Sequence, residues 1–489
     1  MTTLLFFIFS FIPSFYLPEQ LHRIAMTLAT GTKVCHFLKV YFCKPANPAE
    51  YGRNSMSRKI SHYLLVSALV AVNILIGIMA VGSDFNRHPD EQLHYFSAGY
   101  YFGHWLPPAV DEPDARKVYK QTPWGVSYLN HFDICYFMAA KFAKLVALLG
   151  VKNYLGLRIF QVLLFSLIVL VAFGSRDNRF FLILFFTPQV WYVFSYMNGD
   201  AFPLFLAVVL GFFIATPESV FLNYLRSGGI KQFFLGGIPV ALCLGLLAIS
   251  KKNYYIFILF ILFVWLFDLY NADREDRGRL LRRLALICLL GMSIFALRFG
   301  YDIYINGWNK KEKIIAAMEK YADPKFKPSI AAESSSYRLL RLKQKGVSYR
   351  ALFSDYKWHR DSFYSFFGTY GYMEFYNKEK YYGYAKHLVF LTLALMGWIF
   401  IFRQDTSGRI LTLITLGFIL GTIFLSTWHS WQYAFQPQGR YLFPILPIFG
   451  IWLRKNSTHT HPLVIGGLAG AFFILSVYSF YRVGMGHLM

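Results

Sequence analysis

The sequence predicts an all-α polytopic membrane protein, and three observations carry that prediction. Of 489 residues, 56% are hydrophobic and 19% aromatic, more apolar surface than one soluble core can hide. Apolar runs of about 17 residues or more, long enough to cross hydrocarbon as a helix, recur along most of the chain. Lys and Arg, which leave a net charge of +23, gather in clusters between those runs, as they do in the inner loops of membrane proteins.

In chain order, residues 1–55 form an N-terminal extension. Met1 to Pro18 is short, apolar and Phe-rich, and reads as a signal-like segment, an extra span or sequence upstream of the true start. Met56-Ser57-Arg58-Lys59, just before the first clear span, has the look of a natural N-terminus. Apolar runs then predict eleven spans, near 62–82, 156–174, 180–197, 201–217, 233–250, 254–270, 281–300, 385–403, 410–428, 441–454 and 463–482. Residues 132–150 are also apolar, but Lys141 and Lys144 interrupt them, which predicts an amphipathic interfacial helix. The organisation expected is a transmembrane module 56–300 with a first outer loop 83–155, an outer loop 301–384 with amphipathic helices, and C-terminal transmembrane helices 385–489.

Orientation follows from the basic clusters. Arg53, Arg58 and Lys59 place the N-terminal side in the cytoplasm. On the same side fall Arg176 and Arg179, then Arg274, Arg277, Arg279, Arg282 and Arg283, then Arg403 and Arg409, and finally Arg454 and Lys455. The membrane accounts for the positive balance, and no basic stripe lies on a soluble face, so nucleic acid is excluded as a partner. The five cysteines, Cys35, Cys43, Cys135, Cys243 and Cys288, show neither a disulfide framework nor a metal-binding spacing. The short outer turns are Asn198-Gly199-Asp200, Lys251-Lys252-Asn253 and His429 to Arg440. Every polar cluster able to do chemistry therefore falls on one side.

The first outer loop opens with Asp84-Phe85-Asn86-Arg87-His88-Pro89-Asp90-Glu91-Gln92-Leu93-His94. Pro89 suits the first position of a helix and the two acids its first turn. Asp90 and His94, four apart, would share a face and could make a general base. A solvated helix start, or a metal site of His88, Asp90, Glu91 and His94, fits the same residues. Lys251 and Lys252 break the inner-charge rule and suit a lipid phosphate, unless they merely reach for the interface. Arg440 suits bidentate phosphate contact, with Gly439 admitting a close approach; an interfacial anchor is the plainer role. Asn198 and Asp200 suit either sugar hydroxyls or a helix cap, and the aromatics of Phe363–Tyr372 suit sugar rings or the interface. One reaction uses all these parts. A sugar leaving a polyprenyl phosphate needs cations beside the phosphate and one carboxylate base for the acceptor hydroxyl.

His88-Pro89-Asp90-Glu91 after the first span resembles the acidic motif of the GT-C superfamily of membrane glycosyltransferases. Gln438-Gly439-Arg440-Tyr441-Leu442-Phe443-Pro444 is similar to a signature of a bacterial branch of that superfamily. That branch tends to show Pro-Asp-Glu-x-x-His after its first span, Asn-x-Asp after its third and Lys after its fifth, which here are Pro89 to His94, Asn198 to Asp200, and Lys251 or Lys252. The resemblance covers residues 62–454. It implies a polyprenyl-phosphate-linked sugar donor, a glycan, lipid or protein acceptor, and a bacterial inner-membrane protein whose site faces the periplasm or exterior. The site residues expected are Asp90 as base with Glu91 and Asp84 competing; Lys251, Lys252 and Arg440 at the donor phosphate; and His88, His94, Asn198, Asp200, Gln438 and Tyr441 at sugar or acceptor. No cofactor is firmly implied, and a divalent metal is left open because relatives differ. The competing expectations are a flippase for a lipid-linked glycan and a non-catalytic envelope scaffold. Against transport stand the lack of an internal repeat and charges gathered at one face.

Overall fold

The computed structural model describes residues 55–132, 134–175, 177–331, 339–459 and 461–489. The extension up to residue 54, with its signal-like segment, Arg53, Cys35 and Cys43, lies outside the described residues, as does Arg176. What is described is helical almost throughout. Its strands are one short antiparallel pair, Thr369–Tyr370 with Phe375–Tyr376. Among the described residues, eight helices are long and apolar enough to cross a membrane, which makes this an all-α polytopic membrane protein. They are α1 (Ile60–Gly82), Asn153–Gly174, Ile230–Ala248, Lys252–Asn271, Arg274–Asn306, Glu379–Phe402, Thr406–Gln432 and Pro462–Leu488. A ninth arises if Ala201–Ala215 and Val220–Ser227, bent by 47°, count as one span.

Three of the eleven predicted spans are not single long helices, and proline explains each. Between 180 and 197 the chain forms a 3-10 turn, Arg179–Phe185, and then a separate short helix, Pro188–Val193. Pro188 has no N–H and pushes Thr187 out of the helical region, and Thr187 uses its hydroxyl to cap the second piece at Gln189 N. The helix Ala201–Ala215 stops two residues before Pro217. Around 441–454, Pro444 separates a 3-10 turn, Gly439–Leu442, from the helix Ile445–Lys455. Irregular backbone at membrane depth is tolerated only where protein surrounds it. These pieces meet that condition: Trp191 and Trp452 are fully buried, and nearly every residue of Ala201–Ala215 is buried.

Two ends of the bundle are defined by charge pairs. At one, Arg454 Nη2 meets Asp177 Oδ2 at 2.6 Å and Lys455 Nζ meets Asp268 at 2.8 Å. At the other, Arg440 faces Asp200. Residues 177–200 and 440–454 therefore still run from end to end, antiparallel to each other, although neither is one regular helix. Elsewhere the long helices pack in the ordinary way. α1 presents Leu69, Val72, Ile76 and Met79, all 0% exposed, at helical spacing to its neighbours. Ile230–Ala248 crosses Arg274–Asn306 where Gly245 lies against the Gly291 carbonyl, a contact that a side chain at 245 would block.

Two more helices frame the site. α2 (Glu91–Gly103) follows α1, and the predicted interfacial helix is α3 (Ile134–Ala147). Lys141 of α3 donates to the Tyr101 and His104 carbonyls at 2.7 Å each, and Lys144 to that of Phe102 at 3.1 Å. Cations thus cover the orphaned carbonyls at the negative end of α2.

Candidate active site

The site starts from one arginine inside a membrane helix. Arg158, in Asn153–Gly174, is fully buried. Its Nε and Nη2 hold Glu91 bidentately at 2.6 and 2.8 Å. The remaining donors take the carbonyls of Ala80 (2.9 Å), Ser83 (2.6 Å) and Asp84 (2.9 Å) and the Ser83 hydroxyl (3.1 Å). The guanidinium therefore caps the end of α1 and the start of α2 at once. Glu91 Oε2 also accepts the Asn86 N–H at 2.9 Å. His88 completes the brace, with Nε2 at 2.7 Å from Ser83 Oγ and Nδ1 at 3.2 Å from the Tyr192 hydroxyl.

A loop held this firmly sustains backbone that would otherwise relax. Asn86 (φ 65°) and Asp90 (φ 55°) both lie in the left-handed region, at a cost of about 1–3 kcal/mol each for a residue other than glycine. Asp90 is the N-cap of α2 by position, yet its carboxylate makes no capping hydrogen bond. α2 begins at Glu91, so the expected pairing of Asp90 with His94 on one helical face does not form. His94 instead puts Nδ1 2.6 Å from the Tyr136 hydroxyl and stacks on Tyr128 at 4.5 Å. Its Nε2 is buried without a partner.

The Asp90 carboxylate faces groups from much later in the chain. Arg440 Nη2 lies 3.7 Å from Asp90 Oδ2, and Arg440 Nε lies 3.7 Å from Asp200 Oδ2. Lys251 Nζ closes the group with a 2.5 Å bond to Asp200 Oδ1. Local sequence aims each member. Asn198 Oδ1 accepts the N–H groups of Asp200 (2.8 Å) and Ala201 (3.1 Å), while its amide donates to the Val193 (2.6 Å) and Tyr196 (2.8 Å) carbonyls. Gln438 accepts from Arg440 Nε at 2.7 Å. The Tyr441 ring lies under both cations, 5.5 Å from Lys251 and 5.7 Å from Arg440. Gly439 packs against the Phe366 backbone so closely that no Cβ fits, and its N–H donates to Ser365 Oγ at 3.0 Å.

Capacity separates the carboxylates. Asp200 is 1% exposed and bonded to Lys251, and Glu91 is 1% exposed and bonded bidentately to Arg158. Asp90 is 37% exposed, with Arg440 beyond hydrogen-bond distance. Within the charged group it is the carboxylate with room to accept a proton. The four charges of Asp90, Asp200, Lys251 and Arg440 cancel. Burial holds the His94 imidazole well below its usual range, aided by Arg440 and Lys251, and burial with Arg158 does the same to His88. His131 is pushed down to about 4, first by burial and then by Lys252, Lys310 and Lys251.

Asp90, Asp200, Lys251, Arg440, Gln438 and Tyr441 are thus brought together, with His94 alongside. Other expectations need correcting on the geometry. His88 and Asn198 have every polar side-chain atom engaged inside the protein and nothing left for a sugar. Glu91 has both oxygens engaged by Arg158, and Oε2 also accepts the Asn86 N–H. Asp84 is exposed and joins the brace through its carbonyl alone. Of the paired lysines it is Lys251 that meets Asp200. The metal cluster of His88, Asp90, Glu91 and His94 does not form. In Phe363–Tyr372, Tyr364 stacks on Tyr382 at 3.8 Å and Tyr370 is fully buried, but Tyr372 reaches the site and donates to Asn86 Oδ1 at 3.0 Å. Arg158 and Tyr128 were not anticipated. Arg158 had a signal, a lone cation inside an apolar run.

No family model matches the chain, and no curated protein or solved structure matches it.

Proposed function

We propose that the protein is a GT-C type glycosyltransferase that moves a sugar from a polyprenyl-phosphate carrier to a hydroxyl of an envelope glycan, lipid or protein. The single observation behind this reading is the meeting of Asp90, Asp200, Lys251 and Arg440 at one end of the bundle, with one carboxylate still open. On this reading that end faces the periplasm or exterior of a bacterial inner membrane. The clustering of Arg179, Arg454 and Lys455 at the opposite end supports it.

In the transfer step the acceptor oxygen attacks the anomeric carbon, its proton passes to Asp90, and the carbon–oxygen bond to phosphate breaks with both electrons leaving on the phosphate. The carrier phosphate gains about one negative charge as it becomes a monoester. At the same moment Asp90 loses its charge, and the four-residue group goes from neutral to singly positive. Arg440, shared until then between two carboxylates, is released towards the new charge. Stabilisation therefore grows as the transition state forms, which is the condition for faster chemistry.

The test is Asp90→Asn. Asparagine keeps the shape and tolerates the left-handed backbone at this position, so folding should be unchanged. Sugar transfer in proteoliposomes loaded with a polyprenyl-phosphate sugar, read by mass spectrometry of the product, should fall about 10²–10⁴-fold. Transfer at the wild-type rate would end the reading.

A further inference from the structure

α2 is 13 residues long, so its ends stand about 20 Å apart at 1.5 Å per residue. Asp90 lies at one end. At the other the chain folds back through residues 105–112 into the short helix Pro113–Tyr119. There His104, Glu112 and Asp114 each offer a ligand atom, and all three atoms lie within 4.8 Å of one another. His104 Nε2 and Asp114 Oδ2 stand 3.3 Å apart. A direct charge-assisted hydrogen bond closes to about 2.7–2.9 Å. Two ligands on a tetrahedral zinc ion, each about 2.0–2.1 Å from the metal, are by geometry about 3.3–3.4 Å apart. The His104–Asp114 spacing matches one such edge, and the Glu112 oxygen lies within 4.8 Å of both.

Tyr100, one turn earlier on α2, orients two of the three. Its hydroxyl donates to Glu112 Oε1 at 2.9 Å, which leaves Oε2 for a ligand bond. Its ring lies flat on the His104 imidazole, 4.1 Å away and 6° from parallel, and so fixes the imidazole plane. Support of this kind behind a ligand raises metal affinity. Lys117 competes for Asp114 Oδ1 at 2.7 Å, but it is 76% exposed and free to swing into solvent, where such a pair contributes little. Asp114 Oδ2, the oxygen facing His104, is a different atom.

We propose that His104, Glu112 and Asp114 bind a divalent transition ion, zinc being the best fit, which fastens the far end of α2 to Pro113–Tyr119. One imidazole and two carboxylates give zinc three protein ligands and leave a fourth position for water. The site is independent of the transfer chemistry, since about 20 Å of helix separates it from Asp90.

The test uses the full-length protein, purified in detergent on a histidine-free tag, stripped with chelator and titrated with Zn²⁺ or Co²⁺. Wild type should take up one equivalent and show the visible bands of four-coordinate Co²⁺. Tyr100→Phe should bind about 10–100-fold more weakly, and His104→Ala should lose the bands. Asp114→Asn, which keeps the side-chain shape, gives the same readout if His104→Ala does not fold. No uptake by wild type, or equal uptake by wild type and both ligand variants, overturns the proposal and leaves the reading of Asp90 untouched.

Discussion

Arg158→Met should be among the most damaging substitutions in this protein, although Arg158 lies outside the reacting group. It is 0% exposed and Glu91 is 1% exposed, so removing the guanidinium strands a carboxylate away from water. Breaking one partner of such a pair costs about 3–5 kcal/mol. The carbonyls of Ala80, Ser83 and Asp84 lose their donor in the same step. Against a total folding stability of about 5–15 kcal/mol, that is a large fraction. Glu91→Gln should be milder, because Arg158 keeps its four bonds to backbone and Ser83. The double variant Glu91→Gln/Arg158→Met buries no charge and should recover most of the lost stability. Its transfer activity should stay low by about 10²-fold, the effect of misplacing a reacting group by about 1 Å, since nothing then holds Asp90 in its strained backbone. Melting of detergent-purified protein, followed by tryptophan fluorescence, together with a transfer assay, separates the two effects. If Arg158→Met melts within about 1 °C of wild type, the brace does not exist.

Lys251→Met should lower stability by leaving Asp200 buried with only Arg440, 3.7 Å away, whereas Asp200→Asn/Lys251→Met should fold well and remain inactive; melting and transfer assays distinguish these outcomes. Gly439→Ala should cost about 1–3 kcal/mol, because the neighbour it strikes is the Phe366 backbone rather than a flexible side chain; a melting temperature equal to wild type would contradict that packing. Stability should fall on acidification below about pH 6.5. His88 and His94 are held neutral when folded but protonate when unfolded near 6.5, so the unfolded chain binds the extra protons. Each histidine then removes about 1.4 kcal/mol per pH unit until its own depressed range is reached. Melting temperatures from pH 7.5 to 5.5 measure the slope, and His94→Gln should make it shallower.

The membrane class and the route of the chain were readable because apolar length and basic clusters report directly on hydrocarbon thickness. The interrupted crossings were half readable. Pro188, Pro217 and Pro444 are visible breakers, but only packing reveals that protein, rather than lipid, surrounds the broken backbone. The approach of Asp90 to Lys251 and Arg440 followed from topology, since all three were assigned to one face. The fate of Glu91 did not follow, because its partner Arg158 lies 67 residues away and a lone cation in an apolar run does not say which acid it will meet. Lys251 and Lys252 cannot be told apart by type, and only the packing shows that Lys251 is the one bonded to Asp200. His88 and Asn198 carry the right chemistry for a ligand, and only their satisfied hydrogen bonds remove them.

The order in which the ribosome supplies these parts has its own consequence. Glu91 and Arg158 can find each other once the second long crossing is in place, so the brace is an early product of insertion. Lys251 comes next, and Tyr372 and Arg440 last, 286 residues after Asn86 in the case of Tyr372. Through most of synthesis Asp90 therefore waits on a finished platform with no cation beside it. Fragments ending near residue 300 should keep the Glu91–Arg158 pair but lack both the charge partner and the late helices that bury residues 179–215, so mistakes in the last third of the chain should yield inert protein with a weakened core.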